Sequence, residues 1–160
     1  ADGVREHIFL IEAEGLYRAF GLEMRMPPGW ALIETAIKPA DATFVFRHED
    51  QRVEVRRMGM ADTWHQDRPR RWLAQQITSD VDQIEFTQSH VDGRAVTRAR
   101  SVVPISPIRR WLKRQRIRKD LLWLDEDCNA VMCVTAYSRL DAGLDPAEFD
   151  VTCYSTGAPG

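Results

Sequence analysis

No apolar run in this chain approaches the roughly 20 residues that a membrane span requires. The longest candidate, HIFLIEAEGL at residues 7–16, is interrupted by Glu12 and Glu14. Glycine-rich phosphate loops are missing as well: neither GxGxxG nor GxxxxGK occurs, which excludes the usual nucleotide cradles. The zinc-protease signature HExxH and the hydrolase elbow GxSxG do not occur either. Histidine is scarce and dispersed. His7, His48, His65 and His90 stand beside turns or strand ends, where an imidazole is an exposed or singly hydrogen-bonded side chain rather than a ligand.

Cysteine is equally sparse. Cys128, Cys133 and Cys153 form no CxxC, and an odd thiol count suits a reducing compartment, so the expected location is cytoplasmic. A first residue of Ala1 also fits a chain whose export leader has been removed, or one cut from something longer. A Cys128–Cys133 bridge stays geometrically open, whereas no His follows the pair at a zinc-ligand spacing. In AVMCVTAY both faces of the strand are mostly apolar, which makes Cys133 a small core residue. Cys128, in the tip LDEDCN, is the more exposed thiol, and its acidic neighbours make it less reactive.

What is present suffices for one core. A chain of 160 residues with 44% apolar and 29% charged content predicts a single domain over 1–155, followed by a mobile tail at 156–160. No internal repeat or low-complexity segment is found. The net charge of −2 hides an asymmetry: Arg94 to Lys119 holds ten bases and no acid, whereas Asp120 to Asp150 holds eight acids and one base, Arg139. The simplest outcome is partial neutralisation of the two blocks across a sheet.

The pattern is mostly that of strands. LEMRM alternates and ends at the turn PPGW, and FVFRH with VEVRRM forms a hairpin over Glu49, Asp50 and Gln51. Ile8 to Ile11 reads as a strand. A helix starts near Asp67, a capping residue, with Pro69 in the first turn and Trp72, Leu73, Ile77 and Val81 at helical spacing. IEFTQSH and RAVTRARSV flank the hairpin signal Asp92-Gly93, and DLLWL pairs with AVMCVTAYS around a tip at Asp125 to Asn129. In DPAEFDVTCYS, Asp145 and Pro146 give a helix start, and Phe149, Thr152 and Cys153 share a helical face. The expected fold class is therefore α+β: an antiparallel sheet of about seven strands covered by helices.

The stretches LEMRMPPGWAL, QSHVDGRAVTRARS and DLLWLDEDCNAVMCVTAYS with DPAEFDVTCYS resemble, in that order, the opening strand and turn, the central hairpin, and the last hairpin and helix of the PsbP-like fold. That fold is an α/β/α sandwich shared by photosystem oxygen-evolving accessory proteins, a Ran-binding import factor and small bacterial proteins. The resemblance covers about residues 22 to 155. It implies an accessory, assembly or binding role without enzymatic activity; separately, no cofactor is expected. The departure from the family pattern is IRRWLKRQRIRK, unusually basic where a short polar link is expected.

That basic insertion, 107–119, is the candidate binding site. Ser106 and Pro107 have the form of an N-cap and first-turn proline, and Ile108, Trp111, Leu112 and Gln115 come next at i, i+3, i+4 and i+7. The spacing predicts a short amphipathic helix over Pro107 to Arg114 with Arg109, Arg110, Lys113 and Arg114 on its polar face. From Gln115 the period becomes two, with Arg116, Arg118 and Asp120 on one strand face. Arginines in a first turn oppose the helix dipole at about 0.3–1 kcal/mol each, so an anionic surface would favour them there. The expected partner is an acidic protein surface that takes Trp111 and Leu112 as anchors, with nucleic acid or anionic lipid as the alternative. A plainer reading pairs these arginines with Asp120, Asp125, Glu126 and Asp127. The remaining tryptophans, Trp30, Trp64, Trp72 and Trp123, read as packing. A metal-dependent enzyme would have to use His48, Glu49 or Asp50 and His65, but neighbours on a strand point to opposite faces and converge poorly.

Overall fold

The computed structural model describes residues 9–10, 15–64, 68–77, 84–103, 116–139 and 142–153. Eleven strands and one α-helix lie among these residues: β1 (Phe9–Leu10), β2 (Leu16–Ala19), β3 (Leu22–Arg25), β4 (Ala31–Lys38), β5 (Asp41–His48), β6 (Gln51–Gly59), α1 (Arg68–Gln76), β7 (Glu85–Val91), β8 (Arg94–Val103), β9 (Arg116–Asp125), β10 (Ala130–Arg139) and β11 (Asp150–Cys153). They form two antiparallel sheets, one of seven strands in the order β4-β5-β6-β10-β9-β8-β7 and one of four in the order β1-β2-β3-β11.

Alternation explains the layering. Leu22, Met24 and Met26 in and after β3, with Tyr17, Ala19 and Val151, pack with Phe44, Phe46, Val53, Val55, Met132, Val134 and Trp123 of the large sheet. On the other face, Leu73 of α1 and Ile77 just after it meet Met58, Leu122, Val131 and Cys133. The order is thus small sheet, large sheet, helix. Strand β10 sits centrally and is buried on both faces over most of its length, as its continuous apolar run predicts.

Turn chemistry closes the hairpins where it was expected. Glu49 at φ 56° and Asp50 join β5 to β6, with Gln51 already paired to His48. Asp92 and Gly93, both at positive φ (52° and 78°), give the primed turn between β7 and β8. Gly29 closes the turn after β3 at φ +92°, and a Cβ there would fall 2.7 Å from the His48 ring. Only glycine fits that approach.

Three expectations change. Asp145 does cap a turn, its Oδ1 accepting the Ala147 N–H at 2.9 Å, but the turn is a single 3-10 turn at Pro146–Glu148. The chain then enters β11, which pairs with β3 from Asp150↔Arg25 to Cys153↔Leu22, so no closing helix forms over 150–153. The open edge of β3 and the strand preference of Val151-Thr152 outweigh the helical spacing. One face of the large sheet is therefore covered by a second sheet rather than by a helix, and among the described residues the α/β/α arrangement gives way to β/β/α. Strand β4 and the strand β2 beside β3 were not anticipated. In β4 a bulge between Leu32 and Glu34 interrupts the alternation and turns Ile33 outward. For α1, Pro69 and Leu73 are buried as expected, while Asp67 and Val81 lie outside the described residues, as do 156–160.

Candidate functional site

Of the proposed binding residues, Arg109, Arg110, Trp111, Leu112, Lys113 and Arg114 lie outside the described residues, and Arg116 and Arg118 open β9. Their anchoring is informative. Val103, the end of β8, pairs directly with Arg116, so the connecting segment 104–115 leaves and rejoins the sheet at one end. The acidic tip begins at Asp125, which pairs with Ala130 at the other end of β9. Nine strand steps separate the two ends, about 30 Å.

Arg118 is turned inward rather than to solvent. Its side chain is 14% exposed and that of Asp120 is 0% exposed, with the two linked at 3.0 Å. Arg118 Nε also donates to both Asp120 oxygens, at 3.2 and 3.1 Å, and Nη1 donates to the Gln76 carbonyl at 3.1 Å. The guanidinium lies over the Tyr137 ring at 5.6 Å. Burial works against its charge, but the Asp120 carboxylate outweighs that and holds the Arg118 pKa above its ordinary value. The physical reason for this burial is the period of two: the face of β9 that carries Arg118 and Asp120 is the face beneath α1. Arg116 donates to the Asp50 carbonyl and lies 3.9 Å from the Asp50 carboxylate, which Arg139 also approaches at 3.2 Å. Elsewhere in the basic block, Arg98 meets Asp145 at 3.2 Å, Arg100 meets Glu85 at 3.9 Å, and Arg94 covers the Trp123 ring at 5.1 Å. Asp120 and Asp145 belong to the acidic block, so part of the expected neutralisation is realised.

Asp120 also organises a polar cluster under α1. Thr135 Oγ1 donates to Asp120 Oδ1 at 2.6 Å, and Cys133 Sγ stands 3.7 Å from Thr135 Oγ1. Arg56 is clamped by Asp41 at 3.1 and 2.6 Å and lies over Trp72 at 5.1 Å. A cleft of about 210 Å³ remains between Glu54, Arg56, Gln76, Arg118 and Tyr137. Burial, then the Asp120 charge, pushes the Cys133 thiol up to about 12, and burial likewise raises the Tyr137 phenol. Both side chains are therefore protonated at neutral pH, and Asp120 is committed to Arg118 and Thr135. The cluster holds β9, β10 and α1 together. Its sequence signal was an acid placed two residues from an arginine within an apolar strand.

The metal constellation around His48 does not assemble among the described residues. His48 Nδ1 lies 3.0 Å from the Gly29 carbonyl and its ring faces Trp30 at 5.5 Å, while Asp50 serves Arg116 and Arg139. His65 lies outside the described residues. The cysteines, all free thiols, sort differently from the expected pair. Cys133 faces α1, whereas Cys128 packs against the core between the sheets, so a Cys128–Cys133 bridge would have to cross the large sheet. Instead Asp125, Cys128 and Cys153 bring their ligand atoms within 4.8 Å of one another.

A second cleft, about 320 Å³, opens between the β7–β8 turn and β11, with Trp123, Leu121 and Phe149 in its wall and Arg94, Asp92 and Glu148 among its polar residues. Trp123 Nε1 is buried without a hydrogen-bond partner among the described residues. No helix among the described residues is long and apolar enough to cross a membrane.

No protein-family model and no curated protein matches the chain. Among solved structures, the chain is similar to a point mutant of protein Mog1, with TM-score 0.48 and 10% identity over 76% of this chain and 74% of that one. The Saccharomyces cerevisiae Ran-binding protein Mog1p is similar at TM-score 0.48 and 10% identity over 75% and 72%. At a tenth of the residues identical, the likeness concerns the course of the chain alone.

Proposed function

We propose that this chain is a non-enzymatic accessory or assembly protein that docks an acidic protein surface through 107–119, with Arg109, Arg110, Lys113 and Arg114 steering and Trp111 and Leu112 anchoring. The observation that carries this reading is the attachment of segment 104–115 at Val103 and Arg116, the end of β9 remote from the acidic tip. Twelve residues tied at both ends extend no more than about 20 Å, short of the roughly 30 Å to Asp125. Asp50, Asp120 and Asp145 are already engaged by Arg116, Arg139, Arg118 and Arg98. The four cations of 104–115, a stretch without an acid, therefore suit an external counter-charge.

Charge reversal at Arg109, Arg110 and Lys113 should abolish co-purification of the partner, and Trp111→Ala should speed its release. Unchanged pull-down removes the proposal. Binding to DNA or to anionic vesicles that falls steeply with salt would assign the same segment to a polyanion instead.

A further inference from the structure

Two thiols that stand 25 positions apart in the chain meet where the two sheets meet. Cys128 belongs to the β9–β10 turn of the large sheet, and its backbone N–H is fixed by Asp125 Oδ1 at 3.1 Å. Cys153 is the last residue of β11, paired to Leu22 in the small sheet. Their sulfur atoms lie within 4.8 Å, and both side chains pack against the inter-sheet core. The small sheet has strands of at most four residues and depends on that core for its place. We propose that Cys128 and Cys153 form a disulfide that staples the small sheet to the large one.

In this step each thiol loses a proton and an electron, the new S–S bond forms, and a low-molecular-weight disulfide such as glutathione disulfide takes up both to become two thiols. Burial, followed by the hydrogen bond and the charge of Cys153, pushes the Cys128 thiol up to about 12. Attack by Cys128 is accordingly slow at neutral pH and faster in alkali. The third thiol, Cys133, lies on the α1 side and stays reduced. The closed loop of 26 residues, from Cys128 to Cys153, is long enough for the staple to raise the melting temperature by about 7–14 °C.

The test uses the full chain equilibrated with glutathione disulfide, unfolded in N-ethylmaleimide and weighed intact. One maleimide at Cys133, a loss of two hydrogens and a tryptic link between the Cys128 and Cys153 peptides are expected. C153S should take two maleimides, show no link and lose the melting shift that dithiothreitol causes in the parent chain. Three modified thiols, or a link through Cys133, overturn the proposal. So does stoichiometric zinc that shields Cys128 and Cys153 from oxidation, since the trio with Asp125 would then be a cation site. The mass of the parent chain decides the matter even if C153S does not fold.

Discussion

Replacing Asp120 by Asn tests whether the cluster beneath α1 holds the fold together. The change keeps the size of the side chain and one acceptor oxygen, but removes the charge against which Arg118 is buried. Arg118 is 14% exposed and keeps one amide oxygen at position 120, the Gln76 carbonyl at 3.1 Å and the Tyr137 ring at 5.6 Å. Thr135 Oγ1, at 2.6 Å, must share the remaining oxygen or turn away. Breaking one side of a buried ion pair costs about 3–5 kcal/mol, and the residual partners of Arg118 place Asp120→Asn near the lower limit, about 3 kcal/mol. For a chain of 160 residues that is a fall in melting temperature of about 6–12 °C. Arg118→Met should cost at least as much, because it strands the fully buried carboxylate. Urea unfolding followed by tryptophan fluorescence reads both, with a lower midpoint at unchanged slope. The double variant should lose about 1–3 kcal/mol less than the sum of the two single losses. Strict additivity, or a loss of under about 0.5 kcal/mol for Asp120→Asn, would refute the assignment.

Other outcomes rest on single positions. Gly29→Ala should destabilise by about 1–3 kcal/mol, since φ is +92° and the new Cβ would stand 2.7 Å from the His48 ring; a thermal melt checks it. The Cys133 pKa is raised from 9.0 to about 12 on folding, so above pH 9 the unfolded chain carries fewer protons than the native one. Its contribution is complete below pH 9 and is lost as pH rises towards 12. Cys133→Ala should flatten part of the alkaline decline in urea midpoints, and an unchanged decline would count against the burial argument.

What the sequence made legible is what is local. The β5–β6, β7–β8 and β9–β10 hairpins are written in alternation and in the turn residues Glu49-Asp50, Asp92-Gly93 and Asp125–Asn129. Strand β4 escaped because the bulge at Ile33 breaks the period that would reveal it. The C-terminal segment escaped for another reason. Asp145-Pro146 reports the first turn correctly, but the path of the chain after Phe149 is decided by the free edge of β3, more than a hundred residues earlier, which no local pattern records. The site divides the same way. Arg118 and Asp120 could be paired from their spacing of two, whereas Cys128 found Cys153 only through the packing of the two sheets. The cations at 109–114 remain known by composition and by where their segment is anchored.

The order of the large sheet has a temporal consequence. It consists of two meanders, β4-β5-β6 and β7-β8-β9-β10, whose strands among the described residues are hydrogen-bonded to one another along the β6–β10 seam. Gly59 pairs with Ala130, partners separated by roughly seventy residues, which is the non-local kind of contact that slows folding. During synthesis the first meander is finished long before its partner exists. Val53 and Val55, fully buried in the mature protein, wait on a strand whose free edge is closed only when β10 has emerged. That nascent edge is the point at which a ribosome-bound chaperone, or another copy of the chain, would find this molecule most exposed.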